Sequence, residues 1–129
     1  MNRRLFVAFG FGMVVNARAE SAVSFLGFPS RRSINKLGIS ETEPLEDKAS
    51  KEFLCLISRK DGKYFWSSRS NKEMTRMVSG GFTVFSAVDG SGYVKLLTGQ
   101  NDLPIDYMEH MHDKLFTITY WGKSSTSRD

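Results

Sequence analysis

The sequence predicts an α+β domain in which an antiparallel sheet of about five strands packs against one helix near the C-terminus. Two observations predict the sheet. Apolar residues alternate along several short runs, and Asp61-Gly62 and Asp89-Gly90 separate such runs as hairpin turns do. A third observation predicts the helix, because four apolar residues recur at helical spacing: Ile105, Met108, Met111 and Leu115.

Residues 1–19 have the three parts of an export signal. Arg3 and Arg4 are followed by an apolar run over residues 5–15, and the segment 17–19 reads Ala-Arg-Ala, which suits signal peptidase. That run is shorter than the ~20 residues of a transmembrane helix. We therefore expect a cleaved signal and a periplasmic or secreted protein with no transmembrane segment. The arginine pair resembles a twin-arginine signal, so both that route and the general secretory route stay open.

Net charge and cysteine content limit the partners and covalent links expected of the remaining chain. The formal net charge of +4 falls by three, to +1, when Arg3, Arg4 and Arg18 leave with the signal, so no basic field predicts a nucleic-acid partner. Cys55 is the only cysteine, which excludes an intrachain disulfide. Its apolar neighbours predict that Cys55 is buried.

The pattern after the signal divides the chain into three parts. Residues 20–51 are mostly polar from residue 30 onward, which predicts an N-terminal arm or linker. Residues 52–122 form the predicted α+β domain, and residues 123–129 form a disordered tail.

Two hairpins carry register predictions. A two-residue turn at Asp61-Gly62 pairs Ile57 with Trp66 and Arg59 with Tyr64. For the second hairpin, a two-residue turn would set Val84 against Lys95. A four-residue loop over 89–92 pairs apolar with apolar residues instead, and we prefer it. Its pairs are Phe85 with Leu96, Val84 with Leu97, and Ser86 with Lys95.

The predicted helix covers residues 102–114 and precedes a last strand over residues 116–121. Asp102 can cap it and Lys114 suits its C-terminal dipole. It contains both histidines, and a soft thioether and imidazole set suits copper. The candidate ligands are Met108, His110, Met111 and His112. On a helix the two histidines point about 200° apart, whereas on a strand they share a face. Met108 and Met111 equally suit a helix core.

A second cluster combines aromatic, basic and amide side chains: Tyr64, Trp66, Arg69 and Asn71. Aromatic faces beside Arg and Asn are typical of carbohydrate, peptide or nucleic-acid platforms. The same aromatic residues could instead fill a core. We therefore predict a contact surface here, with core packing of Trp66 as the alternative.

Four short segments resemble small exported bacterial proteins of uncharacterised function. They are residues 64–71 (Tyr-Phe-Trp-Ser-Ser-Arg-Ser-Asn), 92–95 (Gly-Tyr-Val-Lys), 106–110 (Asp-Tyr-x-Glu-His) and 119–122 (Thr-Tyr-Trp-Gly). The likeness covers about residues 52–122. It implies a bacterial, exported origin and no particular activity.

The leading functional hypothesis is an exported, soluble, non-enzymatic binding or accessory domain. Its partner is an unidentified protein or small molecule, and no cofactor is expected. The first alternative is a periplasmic copper-binding or other metal-binding protein that uses residues 108–113. The second is a small hydrolase with Asp106, Glu109 or His110 as acid–base groups.

Overall fold

The computed structural model describes residues 21–99 and 102–125. Apart from one short helix, the regular elements in these residues are antiparallel strands. In chain order the elements are β1 (Ala22–Lys36), β2 (Ile39–Pro44), α1 (Asp47–Glu52), β3 (Cys55–Lys60), β4 (Lys63–Trp66), β5 (Lys72–Ser79), β6 (Phe82–Ala87), β7 (Gly92–Leu97), β8 (Tyr107–Asp113) and β9 (Phe116–Ser124).

Strand β1 closes the sheet into a barrel. Its first part, Ala22–Gly27, pairs with β3, and its second part, Gly27–Lys36, pairs with β9. Register shifts after Val23 and after Pro29 bend β1, as β-bulges do, and allow it to change neighbour. Strands β1 and β3–β9 form a closed eight-stranded barrel, and β2 is an extra strand paired with β1.

The predicted α+β class is wrong, because the described part of the chain is almost entirely β. The segment predicted as a packed helix over 102–114 contains β8, which pairs with β7 on one side and β9 on the other. Residues along β8 alternate between the interior, as Tyr107 and Glu109 do, and the outer face. Pairing along both edges outweighs the helix propensity of so short a run. The six-residue α1 contributes no buried residue.

The polar N-terminal region is structured from Ala22 onward. Residues 20–51, predicted as an arm or linker, contain β1, β2 and all but the last residue of α1. Their polar composition reflects position, since the second half of β1 and all of β2 lie at the rim of the barrel and beyond it. Strand β9 extends to Ser124, two residues into the predicted tail of 123–129. The predicted signal at 1–19 lies outside the described residues.

The first predicted hairpin register is confirmed and the second is wrong. Ile57 pairs with Trp66 and Arg59 with Tyr64, as the Asp-Gly turn requires. In the second hairpin Val84 pairs with Lys95, which is the rejected register. Burial inside the barrel determines this register, because the register places Phe85 opposite Val94 on the inner face. On the outer face the Lys95 Nζ instead lies 4.5 Å from the centre of the Phe82 ring.

Side chains fill the barrel interior, as expected for a barrel of eight strands. The buried apolar cluster consists of Phe25, Cys55, Ile57, Trp66, Met74, Phe85, Ala87, Val94, Leu96 and Tyr107. The predicted burial of Cys55 is therefore confirmed. No helix among the described residues has the length and apolar character needed to cross a membrane.

Replacing Gly122 should test the closure of the barrel. A Cβ atom there would overlap the backbone of Phe28 and Pro29 in β1, at the β1–β9 seam. We expect Gly122→Ala to lower the free energy of unfolding by about 3 kcal/mol, because backbone cannot yield as a flexible side chain can. Urea denaturation measures the change.

Gly80→Ala is the matched control. No atom lies within 4 Å of a Cβ built at Gly80, and its backbone is not left-handed. We expect a change within about 0.5 kcal/mol. Equal stability of the two variants would contradict the β1–β9 seam.

Candidate functional site

The four residues of the predicted contact surface do not share a surface. Tyr64 and Trp66 of β4 face the barrel interior, where Tyr64 packs edge-to-face on Phe85 with ring centres 5.2 Å apart. Trp66 is only 1% exposed, so it packs in the core, which was the alternative to a contact surface. Asn71 lies in the turn before β5, is exposed and has a positive φ of 54°.

Arg69 and Glu109 form an ion pair inside one end of the barrel. Arg69 Nη2 donates to Glu109 Oε1 at 2.7 Å, and Trp66 Nε1 donates to Glu109 Oε2 at 2.7 Å. Burial raises the pKa of the fully buried Glu109 carboxyl, and the neighbouring Arg69 guanidinium acts in the opposite direction. Arg69 also donates to the Phe53 carbonyl, which ties the turn after β4 to the segment before β3.

A column of cations and aromatic rings leads from this ion pair towards β2. The Arg69 guanidinium lies 5.4 Å from the centre of the Tyr120 ring, which stacks on Phe53 at 5.6 Å. The Arg32 guanidinium lies 5.1 Å from the centre of the same Phe53 ring. Arg32 Nε then donates to Glu43 of β2 at 2.9 Å. These contacts fix where the barrel interior ends and the extra strand begins.

The predicted metal ligands lie on two sides of β8. Met108, His110 and His112 alternate with the interior residues and occupy the outer face, whereas Met111 packs against the core. The His110 and His112 ring centres are 6.0 Å apart. His110 Nδ1 contacts Thr119 Oγ1 at 2.9 Å.

The acid–base groups of the hydrolase alternative do not meet. Glu109 lies inside the barrel, whereas His110 lies on its outer wall. Asp106 accepts hydrogen bonds from the Ser124 backbone and hydroxyl, both at 2.8 Å. Acid–base catalysis requires such groups around one reacting atom. Within the described residues these three supply no such arrangement.

The β1–β2 hairpin extends the inner wall of the barrel beyond its rim. Its inner face carries a groove of about 450 Å³. The lining residues define what we call the hairpin groove: Ile34, Lys36, Leu37, Ile39 and Glu41. Cross-strand pairs set Ile34 opposite Glu41 and Lys36 opposite Ile39, so these four side chains share a face.

The tip of this hairpin is unusually apolar for an exposed segment. Leu37 and Ile39 are each 69% exposed, and Leu115 of the β8–β9 turn is 71% exposed. The two turns are neighbours, since the Leu37 N–H donates to the Leu115 carbonyl at 3.3 Å. Exposed apolar residues gathered in this way are typical of interaction sites. The hairpin groove and this tip form the candidate functional site.

Sequence reasoning missed the hairpin groove because it treated residues 30–51 as a linker. A signal was present, since Ile34 and Ile39 flank the Leu37-Gly38 pair at positions suited to a short hairpin. The surrounding serine, glutamate and lysine residues concealed it.

Searches against protein-family models, curated proteins and solved structures gave no match. Any function proposed for this protein therefore rests on the geometry of the candidate site.

The hairpin groove offers apolar contact with one acid and one base beside an unpaired strand edge. Strand β2 stands at the end of the strand order, and all six of its residues are exposed. This arrangement can hold an extended chain, with its backbone on β2 and its side chains in the groove. Barrel mouths are common positions for such sites.

Removing Arg69 should destabilise the protein strongly. Arg69→Met leaves Glu109 buried without its cation, which should cost about 3–5 kcal/mol at pH 7, measured by urea denaturation. The double variant Arg69→Met/Glu109→Leu should recover most of this loss, because the unpaired carboxylate is gone. An unchanged stability of Arg69→Met would contradict a structural role of the ion pair.

The same variant should show a steeper dependence of stability on pH than the unmodified protein. Without Arg69, burial holds the folded-state pKa of Glu109 further above its unfolded value of about 4.3. Arg69→Met should then be most stable below that value and lose stability as the pH rises towards the folded-state pKa. Denaturation from pH 4 to 8 measures this slope, and the double variant should lack it.

Cys55 should resist thiol reagents in the native protein. It is fully buried, and this burial raises the pKa of its thiol well above the usual range, so little thiolate forms. A maleimide should label it slowly in buffer and rapidly in urea. Val88→Cys, at a position 62% exposed, is the reactive control. Equal labelling of Cys55 in buffer and urea would contradict its burial.

Proposed function

We propose that this protein is an exported, non-enzymatic binding domain that holds an extended segment of a partner protein along β2 and the hairpin groove. One observation carries the proposal: the edge of β2 with which no described strand pairs adjoins a groove lined by exposed apolar side chains. The export signal predicted at 1–19 supports a periplasmic or secreted location.

The strand edge supplies the backbone part of the interaction. Among the described residues, β2 pairs with β1 alone, through the register Lys36 opposite Ile39 to Arg31 opposite Pro44. In an antiparallel pair, alternate residues direct their N–H and C=O groups away from the partner. An incoming strand can bond to these groups, which is the basis of strand addition. Pro44, which lacks an N–H, limits the pairing to the residues before it.

The groove supplies the side-chain part. Ile39 and Glu41 follow each other along its β2 wall, with Ile34 and Lys36 opposite. Glu43 is already paired with Arg32. A partner strand complements this wall when it carries an apolar and a basic residue two positions apart, because side chains at that spacing share a face and can meet Ile39 and Glu41.

A second copy of this chain fits the edge less well. Antiparallel pairing of β2 with β2 would bring Glu41 and Glu43 of both copies close together on one face. Like charges in cross-strand pairs are destabilising. A heterologous partner with basic residues therefore complements the site better than self-association does.

A display library of extended peptides provides the test. Peptides selected on the purified protein should carry an apolar and a basic residue two positions apart, on the side that faces Ile39 and Glu41. Ile39→Ser should weaken their binding at least about ten-fold, as the loss of an anchor does. Val88→Ser, which removes a similarly exposed apolar side chain at another turn, should leave binding unchanged.

Charge reversal distinguishes groove binding from general adhesion. Glu41→Lys should weaken binding of the basic peptides, and replacing the basic residues of the peptide with glutamate should restore it. Selected peptides that bind Ile39→Ser and Glu41→Lys as tightly as the unmodified protein would overturn the proposal. So would a selection with no enriched peptide.

A further inference from the structure

The outer wall of the barrel carries a second group of side chains that point to a ligand. Successive outward residues of a strand are about 6.8 Å apart along the backbone, so His110 and His112 stand side by side on β8. Their ring centres are 6.0 Å apart, with the ring planes at 43°. A metal–imidazole bond of about 2.0 Å places each ring centre about 3.2 Å from the ion, so ring centres 6.0 Å apart match two imidazoles on nearly opposite sides of one ion.

Neighbouring residues hold His110 in position. Its Nδ1 contacts Thr119 Oγ1 at 2.9 Å, and its ring lies against the Tyr93 ring with centres 5.2 Å apart. This hydrogen bond leaves Nε2 as the nitrogen available to a ligand, which is how second-shell contacts orient metal-binding histidines.

We infer that His110 and His112 bind one Cu²⁺ ion on the outer wall of the barrel. Neutral imidazole is a preferred ligand of divalent first-row ions, and Cu²⁺ binds such sites most tightly. The described residues contain no group of three His, Cys, Asp or Glu side chains that could surround an ion. The two histidines therefore supply two ligands, and water or an exogenous ligand fills the remaining positions.

The two methionines proposed alongside the histidines are not needed. Met111 packs against the core. Met108 faces outward but lines a separate depression with Trp121 and Lys95. Without thioether ligands the site favours Cu²⁺ over Cu⁺. The site shares no residue with the hairpin groove, so it stands independently of the proposed function.

Titration with copper(II) sulfate at pH 7.4, followed by calorimetry and electron paramagnetic resonance, tests the inference. We expect one ion per chain with nitrogen couplings from two imidazoles. His110→Ala and His112→Ala should each weaken binding at least ten-fold and remove one coupling. Met108→Leu is the matched control on the same face and should bind as the unmodified protein does.

Acidification provides a second readout. Binding should weaken on acidification, because protonated imidazole cannot ligate a metal. Circular dichroism should be the same for all variants, since His110 and His112 lie outside the core. Copper affinity unchanged in both histidine variants, or a spectrum without imidazole nitrogen, would overturn the site.

Discussion

Strand β1 has to pair with β3 and with β9 at once, and this requirement organises the rest of the molecule. With fifteen residues, β1 is longer than its pairing with β3 requires, and bulges bend it from one neighbour to the other. At the seam with β9 the backbones approach so closely that Gly122 has no room for a side chain. The second half of β1 then continues past the rim and provides the template for β2.

The column of cations and aromatic rings at one end of the barrel explains why β2 keeps its position. Arg69 and Glu109 form the buried end of the column, and Arg32 and Glu43 form its exposed end. Tyr120 and Phe53 lie between them and stack on each other. A buried ion pair costs desolvation energy and adds little stability against an apolar replacement. Its geometric effect is greater, because it connects the turn after β4 with β8 and the segment before β3.

Local patterns predicted the parts of this fold that depend on local chemistry. The Asp61-Gly62 turn fixed the first hairpin and its register, and the apolar neighbours of Cys55 indicated its burial. Barrel closure could not be predicted in this way, because it joins the two ends of the described chain. The apolar residues of 102–114 fit a helix period, and only the flanking strands β7 and β9 decide for a strand.

The candidate sites were also predictable only where local chemistry decides the structure. His110 and His112 share a face only because their segment is a strand. Their spacing in the sequence therefore suggested a metal site but could not decide whether both histidines face one ion. The register of the second hairpin failed because matching like residues ignores which face the barrel buries. The hairpin groove was missed because its apolar residues stand among charged ones, in a segment whose average composition is polar.

The meeting of β1 and β9 also sets a condition on when the barrel can close. Gly27 of β1 pairs with Ser124 of β9, so the barrel can close only after both strands are available. Contacts between such distant positions slow folding, since the entropy of closing a long loop opposes them. During synthesis, β1 therefore remains without its second neighbour until the C-terminal residues emerge. Until then, a chain with this topology cannot close its barrel.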